Sequence, residues 1–256
     1  MTDFLFFLSE INVVNFVLLF VRISAMMVFV PFFSSQTIFP TVKAAIALFV
    51  TIILFPLLPP PDFALSSQSV LLAVISEAAF GFAVGVAIQL VFVGFQFAAD
   101  QIAFAMSFSM ATAMDPQSEA TSTVITQFFY LFAILLFLAF DGHHLILAFA
   151  ARSLESVPLG GFLIAENFLL YTIKAFGWSF VLGITVAFPV VALSLLSDIA
   201  FGMIMKTVPS FNLLVVGMPA RIFLALLVLT VTMGTTAFIF KRELYKAINA
   251  LGALFI

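Results

Sequence analysis

Apolar positions in this chain fall in long unbroken blocks rather than in alternating or one-sided stripes. Charge-free runs separate Arg22 from Lys43, Glu77 from Asp100, Glu119 from Asp141, Lys174 from Asp198, and Arg221 from Lys241. Each run is about the 20 residues that carry a helix across roughly 30 Å of hydrocarbon. Six apolar segments result, at about residues 4–30, 41–58, 68–103, 122–140, 168–196 and 220–240. The punctuation between them is mostly Pro, Gly and Ser: PFFSSQTIFP at 31–40, LPPPD at 58–62, VPLGG at 157–161 and VPSFNLLVVGMP at 208–219. DGHH at 141–144 interrupts an apolar run that resumes to Ala151. No segment reads as a soluble domain.

Composition strengthens this pattern. Of 256 residues, 64% are apolar and 8% charged, whereas a soluble domain carries about 25% charge. Residues 124–140 hold twelve Leu, Ile, Phe or Val, which favours insertion by about 4 to 7 kcal/mol. The expected fold class is all-α, an integral membrane-type helical protein. Asp3 and Glu10 precede the first basic residue, Arg22. The basic start of a cleaved signal peptide is missing, so the first helix is expected to be retained. The absence of cysteine excludes disulfides and thiolate metal sites. A net charge of −3 gives no case for a nucleic-acid partner. Lys241, Arg242 and Lys246 cluster beyond the last apolar segment, which predicts a cytoplasmic carboxyl end.

The third segment carries organised polarity. At 100° per residue, Glu77, Gly81, Gly85, Gln89, Gln96 and Asp100 share a sector of roughly 140°. Two readings stay open: close helix packing through the Gly81 and Gly85 pair, or a face toward a water-filled path or partner subunit. If the helix continues past Asp100, Ser107, Met110 and Met114 extend the same sector, with Met106 at its edge. Methionine is flexible and polarisable, which suits a constriction that must seal and deform. Asp115 before Pro116 would end that helix. A plain helix end followed by a surface loop is the competing reading.

Arg22 lies deep in the first segment, where an unpaired charge costs roughly 2.5 to 3.5 kcal/mol or more. It is expected to pair with an acid, Glu77 or Asp100. Asp141, His143 and His144 suggest a metal, yet neighbours on a helix point about 100° apart and no third His or any Cys exists. They read as a polar helix junction, with no metal and no cofactor expected. HExxH, GxSxG and the phosphate-binding loop ending in Lys are all missing, which argues against an enzyme. A channel or transporter remains, or a structural subunit of a larger assembly. A stand-alone transporter of small solutes predicts a midplane site and an internal repeat, and no two-fold repeat is evident.

Four blocks carry a resemblance: RISAMMVFVPFFSSQTIFPTVKAAIAL (22–48), FGFAVGVAIQLVFVGFQFAADQIAFAMSFSMATAMDP (80–116), FFYLFAILLFLAFDGHHLIL (128–147) and VPSFNLLVVGMPARI (208–222). In that order and without a large insertion, they resemble successive blocks of the FliR family of flagellar biosynthesis proteins. Relatives of that family serve virulence-associated type III secretion, and the DGHH and VGMP blocks favour the flagellar branch. The resemblance implies long, kinked helical hairpins that join several FliP-type and FliQ-type subunits in a helical export-gate cone. A FlhB-type switch protein is expected near its entrance, at the flagellar basal body in the bacterial inner membrane. Residues of about 1–165 are expected to be FliP-like and about 166–256 a FliQ-like hairpin. Unfolded flagellar subunits would pass through the gate. A plug loop at about 106–123 would close the lumen, with Met106, Phe108, Met110 and Met114 as its soft seal. Partner subunits rather than lipid would then cover much of the apolar surface.

Overall fold

The computed structural model describes residues 10–34, 38–58, 67–107, 123–162, 166–208 and 213–255. Among them there is no strand. The elements are α1 (Glu10–Phe29), a single turn α2 (Pro31–Ser34), α3 (Pro40–Leu54), α4 (Ser67–Ala105), α5 (Val124–Ala139), α6 (Gly142–Ser156), α7 (Glu166–Thr207) and α8 (Met218–Phe255). Pro40 opens α3, where its missing N–H costs nothing, and the helix tightens into a 3₁₀ turn at Phe55–Leu57. A π-helical turn at Leu213–Gly217 leads directly into α8.

Five helices are long and apolar enough to cross a membrane, and α5 with α6 makes a sixth if the broken pair counts as one span. The protein is an all-α membrane-type chain. Two of its helices outrun the hydropathy pattern. Charge interrupts the apolar runs at Asp198 and at Lys241, but α7 continues to Thr207 and α8 to Phe255. In α8 the charges do not end the helix, because Lys, Arg and Glu are good helix formers, and in α7 the single Asp198 is followed by more apolar residues up to Met205. What stops α7 is Pro209, which disfavours helical geometry at Val208 before it. The three long helices α4, α7 and α8 have 39, 42 and 38 residues. At about 1.5 Å per residue they reach roughly 57 to 63 Å, twice the hydrocarbon thickness. Hydropathy therefore marks apolar surface along these rods rather than single crossings.

The chain divides into two compact units, and α4 contributes to both. The first comprises Met1–Leu90, Leu138–Ala175 and Leu244–Ile256. Its core is built around Phe80, fully buried, which stacks on Phe149 and meets the rings of Phe162 and Phe255 edge-on at 5.3 Å. Each such pair adds about 0.5 to 1.5 kcal/mol beyond area burial. In the same unit α3 packs on α1, with Phe16 against Phe55.

The second unit comprises Val91–Phe137 and Phe176–Glu243. Phe240 is fully buried between Phe92 and Phe95, and Phe92 also meets Phe137. Backbones approach closely where Gly94 of α4 faces Gly183 of α7. A Cβ on Gly183 would stand 2.9 Å from the Gly94 carbonyl oxygen. Outside these cores, α3, α7 and α8 carry rows of exposed apolar side chains, among them Phe49, Ile53, Ile173, Phe188, Phe223 and Val231.

Candidate functional site

The polar sector of α4 divides into two parts with different surroundings. In the first unit it is a packing seam. Arg22 of α1 and Glu77 of α4 form an ion pair whose side chains are wholly inaccessible to solvent. The Arg22 Nε and Nη2 groups fork onto the two carboxylate oxygens, Nη2 at 3.0 Å from Oε1. The remaining donors are spent on the chain around them. Nη2 also donates to the Val157 carbonyl at 3.1 Å, and Nη1 to the Ser153 hydroxyl at 3.4 Å and the Ser153 carbonyl at 3.5 Å. The guanidinium carbon lies 4.5 Å above the Phe80 ring. Glu77 Oε1 accepts a further bond from the Gly160 N–H at 2.7 Å. Gly160 has φ of +76°, a geometry glycine adopts without strain. One buried pair thus ties α1, α4, the end of α6 and the turn after it. Of the two acids open in the sequence, Glu77 is the partner of Arg22.

Directly along α4 from this pair, Gly81 and Gly85 lie against α1. A Cβ on Gly81 would sit 2.8 Å from the Met26 nitrogen and 2.9 Å from the Arg22 carbonyl oxygen. On Gly85 it would stand 3.2 Å from Phe29 Cγ and 3.3 Å from its Cα. Gln89 ends this part of the sector, with its Oε1 buried and without a partner among the described residues.

In the second unit the sector opens outward. Gln96 and Asp100 are exposed, and Asp100 accepts a hydrogen bond from the Thr126 hydroxyl at 2.8 Å. The helix stops at Ala105, and Met106 and Ser107 form a turn. Ser107 has φ of +64°, which diverts the chain from the helical path. The helix that carries the sector therefore ends before this turn, and the projected continuation to Met110 and Met114 falls outside the described residues. Met106 is fully buried within its own chain. Phe108, Met110 and Met114 lie outside the described residues.

The base of that segment is held by groups the sequence reading passed over. Arg221 at the start of α8 donates to the Ser107 hydroxyl at 2.9 Å and forms an ion pair with Asp198 of α7. These are the charges flanking the long apolar VPSFNLLVVGMP connection, and their isolation was the available signal. Similarly, Trp178 Nε1 of α7 donates to Glu243 of α8 at 2.8 Å. Glu243 also accepts from Arg242. The Lys241, Arg242 and Lys246 cluster thus belongs to α8 itself.

At the break between α5 and α6, Asp141 has φ of +55°. Its carboxylate does not cap α6; it lies 3.3 Å from His144 Nδ1. The rings of His143 and His144 are 4.1 Å apart between centroids.

Residues 13–247 match the model of the bacterial export proteins, family 1. The chain belongs to that family. It is 33% identical over 238 residues to Flagellar biosynthetic protein FliR of Bacillus subtilis (strain 168), covering 90% of each chain. It is 30% identical over 210 residues to the protein of the same name from Pectobacterium carotovorum subsp. carotovorum, covering 82% of this chain and 80% of that one. Against that of Escherichia coli (strain K12) the identity is 28% over 198 residues, 77% of this chain and 76% of the relative. The resemblance first carried by four sequence blocks thus extends over nearly the whole of this family 1 export protein.

Proposed function

We propose that this chain is a subunit of the flagellar type III export gate and forms part of the channel through which unfolded flagellar subunits are secreted. The observation that carries the reading is the match of residues 13–247 to a bacterial export family, with relatives named as flagellar biosynthetic proteins across the same length. The physics of the surface supports an assembly. Helices of roughly 60 Å with exposed apolar rows exceed what one bilayer covers, so partner subunits must cover part of them. FliP-type and FliQ-type gate subunits and a FlhB-type switch protein are the partners of this reading. Its location is the bacterial inner membrane, at the flagellar basal body. Residues of about 1–165 would take the FliP-like place and about 166–256 the FliQ-like hairpin.

The segment after Ser107 is the plug of this gate. A pore for extended chains of any sequence must yield to them and still hold back ions, so its seal must be soft and unselective. Phe108, Met110 and Met114 supply that seal. Met106, being interior, anchors the segment instead. Asp115 to Ser122 forms the return. Gln96 and Asp100 supply polar groups on the exposed part of α4. Co-expression with neighbouring gate subunits tests the reading: the chain should be recovered in a large stoichiometric complex. A stable, monodisperse chain that ignores those subunits would favour a stand-alone transporter.

A further inference from the structure

We infer that Asp141, His143 and His144 form a binding site for a divalent transition-metal ion at the start of α6. Adjacent residues diverge by about 100° on a regular helix, and that divergence argued against shared ligation. The local backbone changes the outcome. Asp141 sits outside the helix with φ of +55°, one turn before His144, and the first turn brings one ligand atom from each of the three residues within 4.8 Å of one another. Ligands about 2.0 to 2.2 Å from a tetrahedral ion stand roughly 3.4 Å apart, a spacing somewhat shorter than the 4.8 Å within which these atoms already lie.

Two further observations point to a ligand. An aspartate at a helix N-cap ordinarily accepts a backbone N–H of the first turn. The Asp141 carboxylate makes no such bond and faces the His144 ring instead. His143 Nδ1 is buried with no hydrogen-bond partner among the described residues, so that nitrogen's lone pair or N–H is not spent on a described protein group. Asp141 and His144 are about 70% exposed as side chains, which leaves the ion a path of entry. Two imidazoles and one carboxylate suit zinc, copper, nickel or iron rather than calcium or magnesium. Three protein ligands leave at least one position for water or for a donor from another subunit. Ligation would pin the left-handed turn at Asp141 to the first turn of α6, and so fix the point where α5 gives way to α6.

The test is zinc binding by the full chain, purified in detergent with a histidine-free tag and titrated against a chromophoric zinc chelator. One Zn²⁺ per chain is expected. Loss of a group that merely orients a ligand costs about 10- to 100-fold in affinity, so Asp141→Asn and His144→Ala, which replace ligands at exposed positions, should each weaken binding at least tenfold. His143→Ala should do the same. Cu²⁺ substituted into the wild-type chain should show nitrogen hyperfine coupling that His144→Ala reduces. Absence of stoichiometric uptake by the wild-type chain overturns the site. So does uptake of equal strength in Asp141→Asn and His144→Ala chains, which would assign the ion to some other group.

Discussion

Arg22 and Glu77 meet across 55 positions of sequence in a pair with no solvent access on either side chain. Breaking such a pair by removing one partner leaves an uncompensated buried charge and costs about 3 to 5 kcal/mol, whereas replacing both by apolar groups is often close to neutral. Arg22→Met and Glu77→Leu alone should therefore each abolish most recoverable protein. The double variant should regain much of it, though it loses the bonds to Ser153, Val157 and Gly160. Yield and thermal unfolding in detergent measure this; a double variant no better than the worse single one would mean the pair contributes through those backbone ties alone.

Arg22→Lys separates charge from geometry at the same place. Lysine keeps the cation but loses the planar fork that reaches both Glu77 oxygens and two other segments. Its melting point should fall between that of the wild-type chain and that of Arg22→Met. Equality with wild type would show that the charge suffices.

The glycines of α4 should differ from those on outer faces. At Gly81 the neighbours of an added Cβ are Ala25 Cβ and the backbone atoms of Arg22 and Met26, none of which can swing aside as a side-chain tip can. Overpacking of this kind costs about 1 to 3 kcal/mol for a methyl group, and more for a larger side chain. Gly81→Leu and Gly85→Leu should block folding and hence assembly. Gly234 has no described atom within 4 Å of a built Cβ, so Gly234→Ala should leave the chain's own stability unchanged or slightly raised. Recovery of a normal complex from Gly81→Leu would refute close packing on that seam.

Much of this was legible because long apolar blocks leave little choice of structure: in hydrocarbon every backbone group must bond internally, and a helix does so within one segment. Arg22 was readable as a paired charge for the same reason. Its choice of Glu77 over Asp100 was not, because both acids share one helical sector and only the packing of α1 on α4 separates them. Periodicity also projected the α4 face past Asp100, whereas α4 itself ends at Ala105 and the left-handed residue Ser107 turns the chain off the helical period there. The Arg221 to Asp198 pair and the Gly94 to Gly183 approach depend on how distant helices are brought together, which hydropathy does not encode.

Arg221 offers a test of the proposed plug that leaves its proposed seal residues unaltered. Its side chain is 17% exposed and holds both Ser107 and Asp198, so Arg221→Met removes the tether at the base of the proposed plug segment. In a co-expressed gate, deletion of residues 108–114 should raise ion leakage with assembly intact. Arg221→Met should raise it less, and Asp198→Asn less again, because Arg221 then still reaches the Ser107 hydroxyl. Conductance across the membrane of expressing cells reads all three. Unchanged leakage in the deletion would sink the plug role, and unchanged leakage in Arg221→Met alone would limit the tether to a packing role.

Trp178 is the chain's one tryptophan, and its bond to Glu243 makes it a reporter on the α7 and α8 pair. Hydrogen bonds to charged groups contribute about 1.5 to 3 kcal/mol, and Glu243 is almost wholly buried. Excitation moves electron density from the pyrrole ring of indole toward its benzene ring, so an anion at Nε1 stabilises the excited state and shifts emission to longer wavelength. Glu243→Leu removes both anion and acceptor: emission should move to shorter wavelength and stability should fall by about that amount. Glu243→Gln keeps an acceptor and should show a smaller shift and a smaller loss. Identical spectra for wild type and Glu243→Leu would show that the bond does not hold in the folded protein.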